Sequence, residues 1–440
     1  MLDASIAAAF DAALEDRTDE LVELVRSLVR LDTTSVDLEP GSRHTVNQEG
    51  QLQALIADRL TAIDADVDQF EPDPASLLDH PMMPPWHHWR GRPITVGTLA
   101  GAGDGRSMIV NGHIDVVDAG DPGAWTSPAF AADIRDGRIY GRGACDMKGG
   151  VAAALMTVEL LHEIGVRLKG DVIFQAVPDE ETCAMGTVAC LERGYRADAG
   201  FVPEPTGLDL WVATRGLLHG SVHVPGRSGH AEVRQRPWQD GGAVNAITAA
   251  TPLLAALEAL SAEWDGRPDK RHPLLSAPEV QPTRIDGGTF ISNVPESCTI
   301  AINATYLPTD IDGSGFGARP RLEIEAAVTG AAARDPWLAA NPVSFSWATD
   351  YPPCEIPIEH TIVACAQIAG ESLGLAPRAV GIDTTFDGAL LTVLGGTVSP
   401  ALGPGDLGRA HAPDEWIGIT ELTQAARLYA RLLMDWCGVA

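Results

Sequence analysis

Two periodicities of apolar residues alternate along this chain. Apolar residues recur every three to four positions in several stretches, and this spacing predicts helices over residues 18–30, 50–60, 148–164, 238–260, 360–373 and 419–436. Shorter apolar or alternating runs predict strands: two around a glycine turn in 95–117, one at 172–177, one near Thr397, and alternating strands in 217–224 and 289–307. The pattern therefore predicts a mixed α/β fold.

The order of these elements indicates the architecture. Before residue 215 strands and helices alternate, which indicates a mainly parallel sheet with helices on both faces. From residue 216 the strands alternate strictly, as antiparallel strands with one buried face do. We expect an α/β domain of residues 1–215 and 348–440, with a smaller inserted α+β domain of residues 216–347. A length of 440 residues also favours two domains, because single hydrophobic cores seldom grow so large.

Acidic and histidine residues stand where several predicted strands or glycine-rich turns end. In chain order these residues are His113, Asp115, Asp146, Glu180, Glu181, Glu204 and His411. The carboxyl ends of parallel strands share one crevice of an open sheet, so we expect these side chains to lie close together. Imidazoles and carboxylates gathered in one crevice predict a zinc-type metal site.

The spacing of these residues suggests how they divide the chemistry. Asp146 lies in a glycine-rich turn that allows close approach, so it is the best candidate to bridge two metal ions. Asp115 follows His113 by two residues, which puts both on one face of a strand, where the carboxylate can accept the imidazole proton. Glu180 and Glu181 must point in different directions in extended chain. One of them can bind metal while the other acts as a general base.

Composition narrows the classes of partner and compartment. A formal net charge of −29 opposes binding to nucleic acid or to an anionic membrane surface, so neither partner is expected. Seven cysteines without paired spacing give no disulfide framework, and no secretory signal or membrane-length segment is evident, so we expect a cytoplasmic protein. His80, His87 and His88 lie among prolines, which predicts an irregular loop or pocket wall in preference to a second metal cluster.

Five ordered motifs carry a resemblance to a known family. They are GHIDVV at 112–117, GRGACDMKGG at 141–150, DEE at 179–181, EPT at 204–206, and GPG at 403–405 followed by AH at 410–411. In this order they resemble the acetylornithine deacetylase / succinyl-diaminopimelate desuccinylase / carboxypeptidase G family of dinuclear zinc peptidases and deacylases. The resemblance implies that the larger domain is catalytic and that the smaller one is a lid and dimerisation domain.

The resemblance also implies a set of metal ligands. His113 and Glu204 would bind one zinc ion, Glu181 and His411 would bind the other, and Asp146 would bridge the two ions. Cobalt and manganese suit overlapping ligand sets and remain alternatives to zinc.

Four further residues receive roles from the same resemblance. Glu180 would be the general base, and Asp115 would orient the imidazole of the first metal ligand. His230, in the motif GRSGHA at 226–231, would reach the active site of a partner subunit and stabilise the oxyanion, which implies a homodimer. Asn293 matches a lid asparagine that contacts substrate.

The chain departs from the family pattern in the lid. Many members carry an arginine there that binds a substrate carboxylate, but this chain reads Asn-Ala-Thr-Tyr at 303–306, and none of these side chains replaces a guanidinium. The segment 335–342 resembles a deacylase branch that includes pyrimidine-precursor deformylases. We expect a metal-dependent hydrolase of a small N-acyl or peptide-like amide. A carboxypeptidase or dipeptidase with the same site is the alternative, and a non-catalytic binding protein is a weaker one.

Overall fold

The computed structural model describes residues 4–35, 47–77, 80–83 and 91–440, without the side chains of Pro74 and Ser76. The α-helices are α1 Ala4–Asp16, α2 Thr18–Val29, α3 Glu49–Thr61, α4 Pro74–Leu77, α5 Gly149–Glu163, α6 Met185–Glu192, α7 Ala246–Gly266, α8 Ala318–Ala332, α9 Pro336–Ala340, α10 Thr361–Glu371, α11 Gly388–Val393 and α12 Ile419–Cys437. The strands are β1 Asp66–Phe70, β2 Ile94–Leu99, β3 Met108–His113, β4 Asp133–Arg135, β5 Arg138–Tyr140, β6 Val172–Val177, β7 Ala199–Phe201, β8 Leu210–Thr214, β9 Gly216–Pro225, β10 Gly229–His230, β11 Val280–Gly287, β12 Asn293–Val294, β13 Ser297–Tyr306, β14 Ser344–Tyr351, β15 Cys354–Glu355, β16 Ala379–Ile382 and β17 Trp416–Gly418.

A five-stranded sheet in the order β1-β2-β6-β3-β7 forms the centre of the larger part of the molecule. β3 runs parallel to β6 and to β7, whereas β2 runs antiparallel to both β1 and β6. β2 is therefore the one strand of this sheet that is reversed. α5 and α12 pack together and both contact β3. The mixed α/β fold with a mainly parallel sheet is confirmed.

Most predicted helices agree with the structure to within two residues at each end, but the helix predicted over 238–260 does not. A short 3-10 turn covers Trp238–Asp240, Gly241 follows with a positive φ of 83°, and α7 begins only at Ala246. The Asn245 side chain accepts hydrogen bonds from the N–H groups of Ile247 and Thr248. This N-cap starts the helix later than the apolar periodicity alone suggests.

The strand predicted near Thr397 is wrong. This segment lies beside β7, where the N–H groups of Gly200 and Val202 donate to the carbonyls of Val398 and Pro400. Pro400 has no N–H to return, so a regular ladder cannot form. Only isolated bridges at Ala401 remain.

The smaller part of the molecule has its own hydrophobic core. β11, β13, β9 and β14 form an antiparallel sheet in that order, and α7 and α8 pack together beside it. Its buried cluster runs from Leu218 to Leu338 and is separate from the cluster of the larger part. We call this part the lid. The predicted boundaries at 215/216 and 347/348 stay a prediction; β14 runs through the second of them.

Two smaller expectations concern the histidines among prolines and the cysteines. His80 packs edge-on against Phe316, and it belongs to neither group of candidate metal ligands in the described chain. His87 and His88 lie outside the described residues. All seven cysteines are buried and free. Among the described helices, none combines the length and the apolar character that a membrane crossing requires.

Candidate metal centre

Three neighbouring parallel strands end at the same edge of the central sheet. His113 is the last residue of β3 and pairs in register with Val177, the last residue of β6. The turn with Glu180 and Glu181 follows β6 directly, and Glu204 follows β7 by three residues. The parallel arrangement thus brings side chains that are far apart in sequence to one crevice.

Five candidate ligands form two groups that share Asp146. In the first group His113 Nε2 lies 3.1 Å from Asp146 Oδ1 and 4.0 Å from Glu204 Oε1. In the second group His411 Nε2 lies 3.0 Å from Glu181 Oε2 and 3.5 Å from Asp146 Oδ2. Within each group the ligand atoms all lie within 4.8 Å of one another. The two carboxylate oxygens of Asp146 therefore face different groups, as a bridging ligand requires.

The donor atoms fit two divalent cations. Glu204 Oε1 is buried and has no hydrogen-bond partner within the described chain. Burial raises the pKa of the Glu204 and Glu181 carboxyls, and neighbouring carboxylates add to the rise, while the imidazoles of His113 and His411 oppose it. Hydrogen bonds to Asp146 and Glu181 raise the pKa of His411 to about 10. The site brings three carboxylates and two imidazoles together in two groups that could each hold a metal ion, and imidazole and carboxylate ligands suit zinc and similar ions.

Asp115 positions the turn after β6 and contacts the first imidazole. Its carboxylate accepts the N–H of Glu180 at 3.2 Å, the N–H of Glu181 at 3.2 Å and the hydroxyl of Ser35 at 2.5 Å. The oxygen nearest to His113 Nδ1 is the main-chain carbonyl of Asp115 at 3.0 Å, while its carboxylate Oδ1 lies at 3.6 Å. One residue thus touches the imidazole and fixes the backbone of the two adjacent glutamates.

Glu180 belongs to neither ligand group but lines the same cavity. This cavity measures about 200 Å³ and is lined by both ligand groups except His113, and by Glu180, Thr182, Trp211, Leu217, His219, Thr349, Tyr351, Thr384, Thr385 and Leu407. Burial raises the pKa of Glu180 well above its usual value, and the nearby carboxylates of Glu204 and Glu181 raise it further. A carboxyl group with a raised pKa beside candidate metal ligands is suited to exchange protons with a reacting group.

A buried ion pair that sequence reasoning missed supports the bridging candidate. Glu415 Oε1 accepts the backbone N–H groups of Cys145 at 2.9 Å and Asp146 at 3.1 Å. Its other oxygen bonds the guanidinium of Arg142 at 2.5 Å. Asp146 and Glu415 are 269 positions apart, so no local pattern joins them.

A second missed network lies beneath the turn after β6. Arg92 donates to both carboxylate oxygens of Glu49, at 2.7 and 3.0 Å, and it also pairs with Asp179. Asp179 has a positive φ of 77° and directly precedes Glu180. All three charged residues are buried, and Arg92 is the shared partner of both carboxylates, so an ion-pair network lies against the turn that carries Glu180.

The two predicted lid residues lie together but apart from the ligands. His230 in β10 pairs in register with Asn293 in β12, and both residues are exposed. Neither lines the cavity beside the metal ligands, and within the described residues neither makes a hydrogen bond or ion pair with a ligand. Their roles across a subunit interface stay a prediction.

Comparisons with known proteins agree with this architecture. The chain is 28% identical over 448 residues to an N-formyl-4-amino-5-aminomethyl-2-methylpyrimidine deformylase of Halalkalibacterium halodurans, covering 97% of this chain and 96% of that protein. It is 31% identical to a succinyl-diaminopimelate desuccinylase of Methylorubrum populi, over 75% of this chain and 82% of that protein.

Solved structures share the fold at low sequence identity. Human carnosine dipeptidase 1 has a TM-score of 0.71 and 16% identity, covering 99% of both chains. The YXEP protein of Bacillus subtilis, described as a dinuclear metal binding peptidase, has a TM-score of 0.65 and 17% identity, covering 97% of this chain and 100% of that one. Residues 109–435, most of this chain, match the family described as peptidase family M20/M25/M40, and the chain therefore belongs to that family.

Proposed function

We propose that this chain is a metal-dependent amidohydrolase that removes an acyl group from the amine of a small substrate. The observation that carries the proposal is the pair of ligand groups that share Asp146, with Glu180 beside them in one cavity. The family membership supports hydrolysis of an amide bond. The deformylase and the desuccinylase among the relatives support a deacylase over a peptidase.

In this proposal five side chains hold two divalent ions. His113 and Glu204 would hold one ion, Glu181 and His411 would hold the other, and Asp146 would serve both; zinc is the first choice, with cobalt or manganese as alternatives. When bound, the ions polarise the amide carbonyl and acidify the attacking water.

Four other residues handle protons, charge and substrate in the proposal. Glu180 takes the proton of the attacking water and later gives it to the nitrogen of the leaving amine. Asp115 orients the first imidazole and holds the turn that carries the base. His230 of one subunit stabilises the oxyanion in the other, and Asn293 contacts substrate there, so the working form is a homodimer. The exposure of both lid residues supports this assignment.

We place the enzyme in the cytoplasm. Seven free cysteines suit a reducing compartment, where thiols stay unpaired.

A substrate library tests the proposal. The purified enzyme is incubated with N-formyl, N-acetyl and N-succinyl derivatives of amino acids and of aminopyrimidines, and with dipeptides, before and after chelation and zinc addition. We expect release of an amine from an N-acyl compound, lost on chelation and restored by zinc. Faster hydrolysis of dipeptides would overturn the deacylase assignment, and turnover that survives complete metal removal would overturn the mechanism.

A further inference from the structure

The helix-free face of the lid sheet carries polar residues. Along β9 and β13 even-numbered residues are buried and odd-numbered residues are partly exposed. Leu217 pairs with Thr305, and His219 pairs with Asn303, so these four side chains share one face. Gln281 of β11 pairs with Asn303 and extends the same row. This face lies opposite the one that packs against the lid helices.

This face borders two adjoining cavities. The first is the cavity beside the metal ligands. The second measures about 320 Å³ and shares Leu217, Thr384 and Thr385 with the first. Its other lining residues are Arg215, Gly216, Glu279, Gln281, Asn303, Thr305 and Asp383. A substrate with its amide carbonyl at the metal ligands would therefore extend its remaining part into the second cavity.

The guanidinium of the second cavity is already engaged by the protein. Arg215 donates from Nη1 to the carbonyl of Ala277 at 3.1 Å, and from Nε and Nη2 to the carbonyl of Asp383 at 3.3 and 3.1 Å. The carboxylate of Asp383 lies 3.5 Å from Nε. Three of the five N–H groups are thus occupied, and the charge has a partner. Arg215 acts here as a cross-link between main-chain segments.

The charges of the second cavity favour a substrate part that is not an anion. Glu279 and Asp383 contribute two carboxylates against the one guanidinium. Glu279 accepts a hydrogen bond from the Gln281 side chain at 2.8 Å, and no cation pairs with it in the described chain. His219, which lines the first cavity, has its pKa lowered by burial. A carboxylate entering this space would lose water, would meet two carboxylates, and would find a single guanidinium that Asp383 already pairs.

We propose that the second cavity binds the leaving amine of the substrate and selects a neutral or cationic polar group while rejecting a carboxylate. The amides of Asn303 and Gln281 and the hydroxyl of Thr305 each make a hydrogen bond within the lid, and each keeps further donor or acceptor capacity for ring nitrogens and amino groups. The substrate class is therefore an N-acyl derivative of a polar amine, such as an aminated aromatic ring, and not an N-acyl amino acid. This inference rests on the proposed amidohydrolase function.

A matched pair of substrates tests the selectivity. N-(4-aminobenzyl)formamide and 4-(formamidomethyl)benzoate have the same reacting amide and differ only in the ring substituent; the pair is also made with whichever acyl group the library favours. For the zinc-loaded wild type we expect kcat/KM at least tenfold higher for the amino compound. Equal values, a preference for the carboxylate, or turnover of neither compound while another amide is hydrolysed would overturn the inference.

Variants locate the selectivity in the cavity. Thr305→Arg adds a guanidinium to the lining, and we expect it to raise kcat/KM for the carboxylate compound at least tenfold. Glu279→Gln removes one negative charge without changing size, and we expect a smaller rise of about threefold. The matched control is Glu258→Gln, an exposed glutamate of the same lid that does not line this cavity; its selectivity should equal that of the wild type.

Failure of the cavity assignment and failure of the amidohydrolase function give different results. Thermal melts monitored by circular dichroism establish that each variant is folded; if Thr305→Arg does not fold, Glu279→Gln decides. No change in selectivity in the folded lining variants overturns the assignment of this cavity. No metal-dependent hydrolysis of any amide in the library overturns the amidohydrolase function itself, and the inference falls with it.

Discussion

At the scale of single residues, Glu180 and Glu181 show how adjacent identical side chains acquire different environments. Glu181 points to His411 and belongs to a ligand group, whereas Glu180 lines the cavity and belongs to none. Asp115 holds both N–H groups and so keeps the two side chains in different directions. The division of roles therefore depends on backbone direction, since the chemical groups are the same.

Replacing Glu180 should remove turnover and keep metal. In Glu180→Gln we expect kcat to fall by a factor of about 10² to 10⁴, the usual contribution of a general acid–base group. Bound zinc, measured by inductively coupled plasma mass spectrometry, should equal that of the wild type. Glu181→Gln is the comparison, and it should lose zinc as well. Near-normal turnover in Glu180→Gln would exclude it as the base.

Glu415 should matter for metal binding although it lies outside both ligand groups. In Glu415→Gln the new amide presents N–H donors to the Arg142 guanidinium, so the support of the Asp146 backbone weakens. We expect zinc affinity to fall about 10- to 100-fold, as for other residues that hold a ligand in place. Competition with a fluorescent chelator measures it. Glu421→Gln, which also alters an arginine pair, is the control, and equal losses would contradict the argument.

His80 should make the folded state sensitive to acid. Burial lowers its pKa from 6.5 to about 4, and its Nδ1 accepts the N–H of Met82. Between these two pH values the unfolded chain binds a proton at His80 that the folded protein does not. The contribution of neutral His80 to the free energy of unfolding is therefore fully present above about pH 6.5 and is lost as the pH drops towards 4. The loss is at most about 1.4 kcal/mol for each pH unit.

The variant His80→Gln should flatten this dependence. Tm is measured from pH 7 to pH 4.5 for the wild type, for His80→Gln and for the exposed control His162→Gln. We expect the first variant alone to lose less Tm than the wild type on acidification. Parallel curves for all three proteins would show that His80 does not titrate in this way.

At the scale of elements, local sequence patterns predicted the helices and ligand candidates that depend on residues close together in the chain. Apolar periodicity located most helices, and the position of polar residues after strands located the ligand candidates. The start of α7 was missed because a polar cap at Asn245 decides it, and the strand near Thr397 was wrong because one proline breaks the ladder. Arg92 and Glu415 could not be found in this way. Their partners lie far along the chain, and only the folded topology brings the charges together.

The start of α5 should not tolerate even one added methyl group. A Cβ at Gly150 would lie 2.0 Å from the carbonyl oxygen of Pro203, which directly precedes Glu204. Although alanine favours a helix by about 1 kcal/mol over glycine, we expect Gly150→Ala to lower both Tm and zinc affinity, because the segment carrying the ligand must move. Differential scanning fluorimetry with and without zinc measures both effects.

Gly330 in α8 is the matched control for that substitution. A Cβ there meets no atom within 4 Å, so Gly330→Ala should gain the helical preference without a collision. We expect up to about 1 kcal/mol of added stability and unchanged zinc affinity. If both alanine variants behaved alike, close approach to Pro203 would not be the cause.

At the scale of the whole molecule, two separate cores predict two unfolding transitions in calorimetry. Chelation should lower the midpoint temperature of one transition only, that of the larger part with the candidate ligands, because bound metal stabilises the folded state that binds it. Trp264→Ala should lower only the midpoint of the lid transition, since Trp264 is fully buried in the lid core. We expect the free energy of unfolding of the lid to fall by about 3–5 kcal/mol. A single transition that both changes shift equally would contradict independent cores.

The alternation of buried and partly exposed residues along β9 and β13 bears on how substrate preference can evolve. Even-numbered positions are buried in the lid, whereas the odd-numbered positions Leu217, His219, Asn303 and Thr305 line the two cavities. If these cavities bind substrate as proposed, folding and substrate recognition depend on different residues of the same strands. We expect substitutions at these four positions to leave the lid folded. Substrate preference can therefore drift or be selected within an unchanged scaffold, and directed evolution of this enzyme should begin with those positions.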